Sequence, residues 1–173
     1  MISMMNNPVV KAWLATVTFS LAGLISLFFF ATVSRYLLPH AVFYSILVLN
    51  TFFSVRFFAG ILADSVRQTV VDGVLVVLYV ALAYSLGDAF AFPLAATCLF
   101  ALASVKYIIE LGSNPHTAVL RRKIGIDFLG AALCAAALAG TILGYPFESA
   151  WALAGIFALA NVYLLAVKPM YRL

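Results

Sequence analysis

Apolar residues run along this chain in long unbroken blocks, not in alternation with polar ones. Val70 through Leu86, for example, is apolar on every side apart from Asp72, Gly73, Tyr79, Tyr84 and Ser85. A helix needs about 20 such residues to cross a bilayer. The blocks predict six helices, over about 9–36, 41–63, 70–86, 92–111, 120–144 and 147–167. Turn chemistry separates them. Leu38-Pro39-His40 closes the first, and Asp64-Ser65-Val66-Arg67-Gln68 divides the second from the third. Gly87-Asp88 bounds the third, and Pro93 falls in the first turn of the fourth, where a missing N–H is harmless. Gly112-Ser113-Asn114-Pro115 ends the fourth. The fifth begins near Thr117, enters lipid around Ile124 and stops at Gly144-Tyr145-Pro146, and Lys168-Pro169 stops the sixth. A transmembrane barrel is excluded, because its strands alternate apolar and polar residues. Helices instead satisfy their own backbone in lipid.

Composition sharpens this into a class. Of 173 residues, 66% are hydrophobic and 9% charged, against about 25% charged in a soluble domain. Too few polar residues remain to coat a soluble globule. Disorder, nucleic-acid binding and a disulfide scaffold are excluded on the same grounds. The expected fold is all-α, a polytopic membrane protein forming one compact bundle of six transmembrane helices across residues 1–173 with no extramembrane domain. No cleavable signal is expected, since the first apolar block is too long for one. Cys98 and Cys134 lie within apolar blocks, form no paired motif and read as packing residues.

Charge sets the expected orientation. Lys11, Arg67, Arg121, Arg122, Lys123, Lys168 and Arg172 fall on one side of the six spans, and Arg35 alone on the other. Basic residues concentrate on the cytoplasmic side, so both termini are expected there, in a cell membrane. Trp13, Tyr107, Tyr163 and Tyr171 at one interface, and Tyr36, Tyr145 and Trp151 at the other, suit the half-wet depth that such rings prefer. The net charge of +4 then implies anionic lipid headgroups as partners at the cytoplasmic face, with no nucleic acid.

Small residues recur at four-residue spacing in the fifth helix, at Ala132, Ala136, Gly140 and Gly144, and in the sixth at Ala150, Ala154 and Ala158. Such stripes let backbones approach closely, and they predict that these two helices pack as a tight hairpin or meet a second subunit. The third helix is nearly featureless and is expected to face lipid.

Charges within spans are costly and ask for a partner or a function. Arg56, Asp64, Asp72, Lys106, Glu110 and Asp127 form a candidate cluster in the cytoplasmic half. Asp64 and Arg67 share a helix face with Arg56 and Gly60, and Glu110 lies one turn beyond Lys106. Asp88 and Glu148 are the acids outside it. A faint repeat links Ser54-Val55-Arg56-Phe57 to Ser104-Val105-Lys106-Tyr107, each followed by an acid in the next helix, Asp72 and Asp127. Arg56 is expected to pair with Asp72, or failing that with Asp127. Asn50 and Ser54 read as hydrogen-bonding glue, and Thr16, Ser20, Gly23 and Ser26 as a mildly polar face.

No hydrolase, phosphate-loop, dinucleotide or zinc-protease motif is present. His40 and His116 lie at opposite faces, too far apart to share a metal or haem. No cofactor is implied, and an enzyme is the less favoured class. Two functions remain. One is an ion, proton or small-solute transporter or channel, expected to be a homo-oligomer, that uses the charge cluster. The other is a non-catalytic subunit or assembly partner of a larger membrane complex, with its charges in structural pairs.

Overall fold

The computed structural model describes residues 7–30, 34–62, 65–112 and 116–171. These residues are all-helical. Six α-helices follow in order: α1 (Pro8–Phe30), α2 (Leu37–Phe58), α3 (Val66–Tyr84), α4 (Ala91–Leu111), α5 (Thr117–Ile142) and α6 (Pro146–Val162). A π-helical turn over Tyr163–Val167 continues α6. All six helices are long and apolar enough to cross a membrane. Asp64 and Arg172, and the turn residues 113–115, lie outside the described residues.

The largest departure from the expected boundaries is at the first connection. Helix α1 does not run to Tyr36, and Leu38-Pro39-His40 opens α2 instead of closing α1. Pro39 stands in the first turn, where its absent N–H has no helical acceptor to lose. A turn at Ser34 makes the reversal: the Leu37 amide donates to Ser34 O at 3.1 Å. Helix α2 ends at Phe58, short of Ala63, by tightening into turns in which the amides of Gly60 and Ile61 reach back only three residues. Helix α3 begins at Val66 because Ser65 caps it, its Oγ accepting from the Gln68 amide at 3.2 Å. Asp88 does similar work ahead of α4, with Oδ1 accepting from the amides of Phe90 and Ala91 at 2.8 Å each. Pro146 starts α6, with Glu148 in the first turn where the helix dipole favours an acid. The α5–α6 turn passes through Gly144, whose φ of +92° suits a residue without a side chain.

The core centres on an aromatic hub. Phe43 of α2 stacks on Phe157 of α6 at 4.2 Å and meets Phe92 of α4 edge-on at 5.6 Å. His40 stacks on Phe92 at 4.0 Å, and its Nδ1 hydrogen-bonds Leu86 O at 2.9 Å. Helices α4 and α5 make the most extensive pairing. It depends on Gly130, where a Cβ would stand 2.9 Å from the Phe100 ring. Cys134 and Ala137 continue that face. Ala132 and Ala136 sit two residues around from Gly130 and Cys134, about 200° at 100° per residue, and they are exposed on the outside of the bundle. Gly140 does meet α6, since a Cβ there would clash with Ser149. Gly144 lies exposed in the turn. Ala150 and Ala154 of α6 are buried in the core.

A second, smaller apolar cluster closes the end of the bundle that carries most of the basic residues, hereafter the basic end. It joins Phe57, Phe58, Tyr107, Leu120 and Met170. The α3 helix presents Val66, Val70, Val74 and Val77 outward, with Tyr79, Leu82 and Ala83 buried.

Candidate functional site

Between the aromatic hub and the basic end lies a cavity of about 310 Å³. Five helices line it. Helix α1 contributes Lys11 and Phe19, α2 contributes Asn50, Thr51 and Ser54, and α3 contributes Gln68, Asp72 and Tyr79. Helix α4 adds Phe100, Lys106 and Tyr107, and α5 adds Lys123 and Asp127. Lys11, Gln68, Asp72 and Lys106 sit toward the basic end.

Two ion pairs belong to this cavity. Lys106 Nζ of α4 stands 2.5 Å from Asp72 Oδ1 of α3. Lys123 Nζ stands 2.5 Å from Asp127 Oδ1 one turn further along α5. The two differ in setting. The Asp72 side chain is 51% exposed, whereas those of Lys123 and Asp127 are 7% and 1% exposed. At about 1.5 Å per residue, Asp127 lies about 15 Å along α5 from its start. The Lys123 ammonium also stands 5.6 Å from the centre of the Tyr107 ring, near enough for a cation–π contact.

Hydroxyl pairs knit the walls together. Thr51 and Tyr79 share a hydrogen bond between α2 and α3. Ser54 Oγ and Tyr107 OH are 3.4 Å apart across α2 and α4. Tyr171 OH, beyond the π turn, donates to Asn50 Oδ1 at 3.1 Å. Three buried atoms at the cavity have no hydrogen-bond partner: both side-chain amide atoms of Gln68, and Oδ2 of Asp127.

The expected cluster is thus partly assembled. Asp72, Lys106 and Asp127 line one cavity. Arg56 does not join them: it is exposed, and Lys106 occupies Asp72 in its place. The reason is rotation about the α2 axis. Ser54, Phe57 and Phe58 take the inward positions, which turns Arg56 out. Glu110 is buried one turn beyond Lys106 and does not line the cavity. The two copies of the faint repeat do touch, through Ser54 of one and Tyr107 of the other.

Sequence reasoning missed Lys123, read as one of a basic turn, and Gln68, read as a turn residue. It placed Tyr107 and Tyr171 at the interface only for their rings. The four-residue spacing of Lys123 and Asp127 was the available signal. Gln68 had a signal too, since Ser65 precedes it at the spacing of a helix cap.

The arrangement offers hydrogen-bond donors, acceptors and paired charges, and no activated nucleophile. Among the described residues no three His, Cys, Asp or Glu side chains stand together as a metal site requires. No family model matches the chain, and no curated protein or solved structure matches it.

Proposed function

We propose that this chain is a six-span membrane protein with both termini in the cytoplasm, and that it carries a small solute or ion through the cavity at its basic end. The cavity is the observation that carries the reading. Polar side chains in hydrocarbon are expensive and face an interior path or partner. Here Asn50, Thr51, Ser54, Gln68, Lys123 and Asp127 converge on one space between five otherwise apolar helices. The excess of basic residues at the adjoining end supports a mouth that faces the cytoplasm under the positive-inside rule. Arg67, Arg121, Arg122 and Lys168, all exposed there, are positioned for anionic headgroups.

The Lys123–Asp127 pair has the wrong order for helix stability. An acid preceding a base at this spacing is the favourable arrangement. A role in binding or moving the transported species accounts for a buried pair in this order.

The test is reconstitution into proteoliposomes. Proton, potassium and small neutral solute fluxes are measured against protein-free vesicles and against a Lys123→Met, Asp127→Leu double variant. The reading requires a flux that the wild type supports and the variant loses. A second reading rests on the outward stripe of Ala132 and Ala136, continued by exposed Ala139. Small residues on an outer face suit a closely packed partner helix, in a homo-oligomer or a larger complex. Purification from native membrane with a stoichiometric partner, and no flux in vesicles, favours that alternative.

A further inference from the structure

The buried polar groups around the cavity include engaged ones and unpartnered ones. Lys106 holds Asp72, and Lys123 holds Asp127, each at 2.5 Å. Lys11 at the mouth is engaged as well. The charges lining the cavity are therefore all engaged within the protein. The buried polar atoms left without a partner are the amide nitrogen and oxygen of Gln68 and the Oδ2 of Asp127. Both residues are deeply buried, Gln68 at 6% and Asp127 at 1% exposure.

Gln68 departs from its local rule. Ser65 is the cap of α3 and Gln68 its third helical residue. In that pattern the glutamine normally folds back onto the backbone N–H of the capping residue. Only half of the motif forms. Ser65 Oγ accepts from the Gln68 amide, while the Gln68 side chain forgoes the return bond and lines the cavity unpartnered.

We infer that the cavity binds a small, electrically neutral solute bearing a carboxamide or lactam edge, with N–H donors beside a carbonyl acceptor. The inference rests on reading the cavity as the carrier's solute site. A glutamine amide presents a donor and an acceptor side by side, and a partner with the same edge satisfies both. At Gln68 the unpartnered set is one acceptor atom and one donor group, and a carboxamide or lactam edge supplies an N–H and a carbonyl side by side. A carboxylate would set a lone pair against Gln68 Oε1. An ammonium would leave the Gln68 nitrogen unpartnered, and its charge would find both aspartates already neutralised. Size agrees: about 310 Å³ corresponds to about ten waters at about 30 Å³ each. Phe19, Tyr79 and Phe100 add an apolar wall for a ring or alkyl body.

The experiment is equilibrium binding to the purified full-length protein in detergent, with three probes that share one ring: nicotinamide, nicotinate and 3-(aminomethyl)pyridine. Nicotinamide is expected to bind at least tenfold more tightly than either charged probe. Gln68→Met is expected to cost nicotinamide at least tenfold while leaving the melting temperature equal or higher, because it removes two unpartnered polar atoms at similar volume. A lowered melting temperature in that variant, or unchanged nicotinamide binding, assigns Gln68 a structural role and overturns the inference. Gln68→Glu is expected to move the preference toward 3-(aminomethyl)pyridine. A wild-type preference for a charged probe overturns the inference and leaves the carrier reading standing. So does a failure of all three to bind while vesicles still show a flux. Failure of binding together with absence of any flux overturns both.

Discussion

Breaking the Lys123–Asp127 pair one member at a time should destabilise the protein far more than removing both. The side chains are 2.5 Å apart and almost fully enclosed. At an effective dielectric constant of about 20, charges at that separation attract by about 7 kcal/mol. Desolvation of the two ions, at several kcal/mol each, offsets most of this. The net value of the pair is therefore small, and the cost of stranding one charge is large, about 3–5 kcal/mol. In a chain of this size each kcal/mol moves the melting temperature by about 2–4 °C. Lys123→Ala should lower it by about 6–20 °C. Asp127→Ala should cost less, because Lys123 lies only about 9 Å from the start of α5 and its long stem can carry the ammonium toward the basic end. The double change Lys123→Met with Asp127→Leu should fall within about 1 kcal/mol of wild type. The assay is thermal unfolding in detergent for the four members of the cycle, with flux measured in parallel. Single effects that simply add in the double variant would refute the reasoning, since uncoupled residues cannot be holding each other's charge.

The Lys106–Asp72 pair is the counterpart at the mouth, and with Asp72 half exposed its loss through Asp72→Ala should shift stability by no more than about 1 kcal/mol; a shift as large as that of Lys123→Ala would mean that the mouth is closed to water. Gly130→Ala should cost about 1–3 kcal/mol by forcing a methyl against Phe100, read as a drop in melting temperature. Ala136→Leu should leave a monomer's melting temperature unchanged, and its loss of a co-purifying partner or oligomer would show what covers the outer stripe. Reporter fusions after residues 88 and 148 should report the outside, and those after 67 and 116 the cytoplasm; a cytoplasmic signal at 88 would remove the orientation on which the carrier reading depends.

Six helices were legible because a span must be apolar over about 20 residues whatever its neighbours are. Boundaries were less so. Pro39 reads equally as a stop for one helix or a first-turn residue of the next, and the choice depends on where His40 is buried, against Leu86 and Phe92. The charge cluster was legible in part of its membership, Asp72, Lys106 and Asp127, and not in its pairing. Depth along a helix can be counted, whereas rotation about its axis cannot when every face is apolar. Arg56 and Lys106 stand at matching places in the repeat, yet only Lys106 turns inward. The same indeterminacy hides the packing face of α5. Small residues lie on several of its faces, and the one that meets α4 runs through Gly130, Cys134 and Ala137.

The fastenings of α3 are distributed unevenly along its length. Toward its far end, Ser26 Oγ donates to Ala83 O at 2.5 Å, and His40 and Ser34 bond to the carbonyls of Leu86 and Gly87 just beyond. Thr51 holds Tyr79 one turn earlier. At the basic end Lys106 ties a half-exposed Asp72. A tilt of α3 about these fastenings would pivot near Ala83. Gln68 lies about 22 Å from that pivot at 1.5 Å per residue, so a tilt of about 5° carries its amide about 2 Å. Under the proposed carrier function, the side chain offered to a solute and the strut across the mouth ride on the same arm, so one rotation would change both the occupancy of the cavity and the width of its opening.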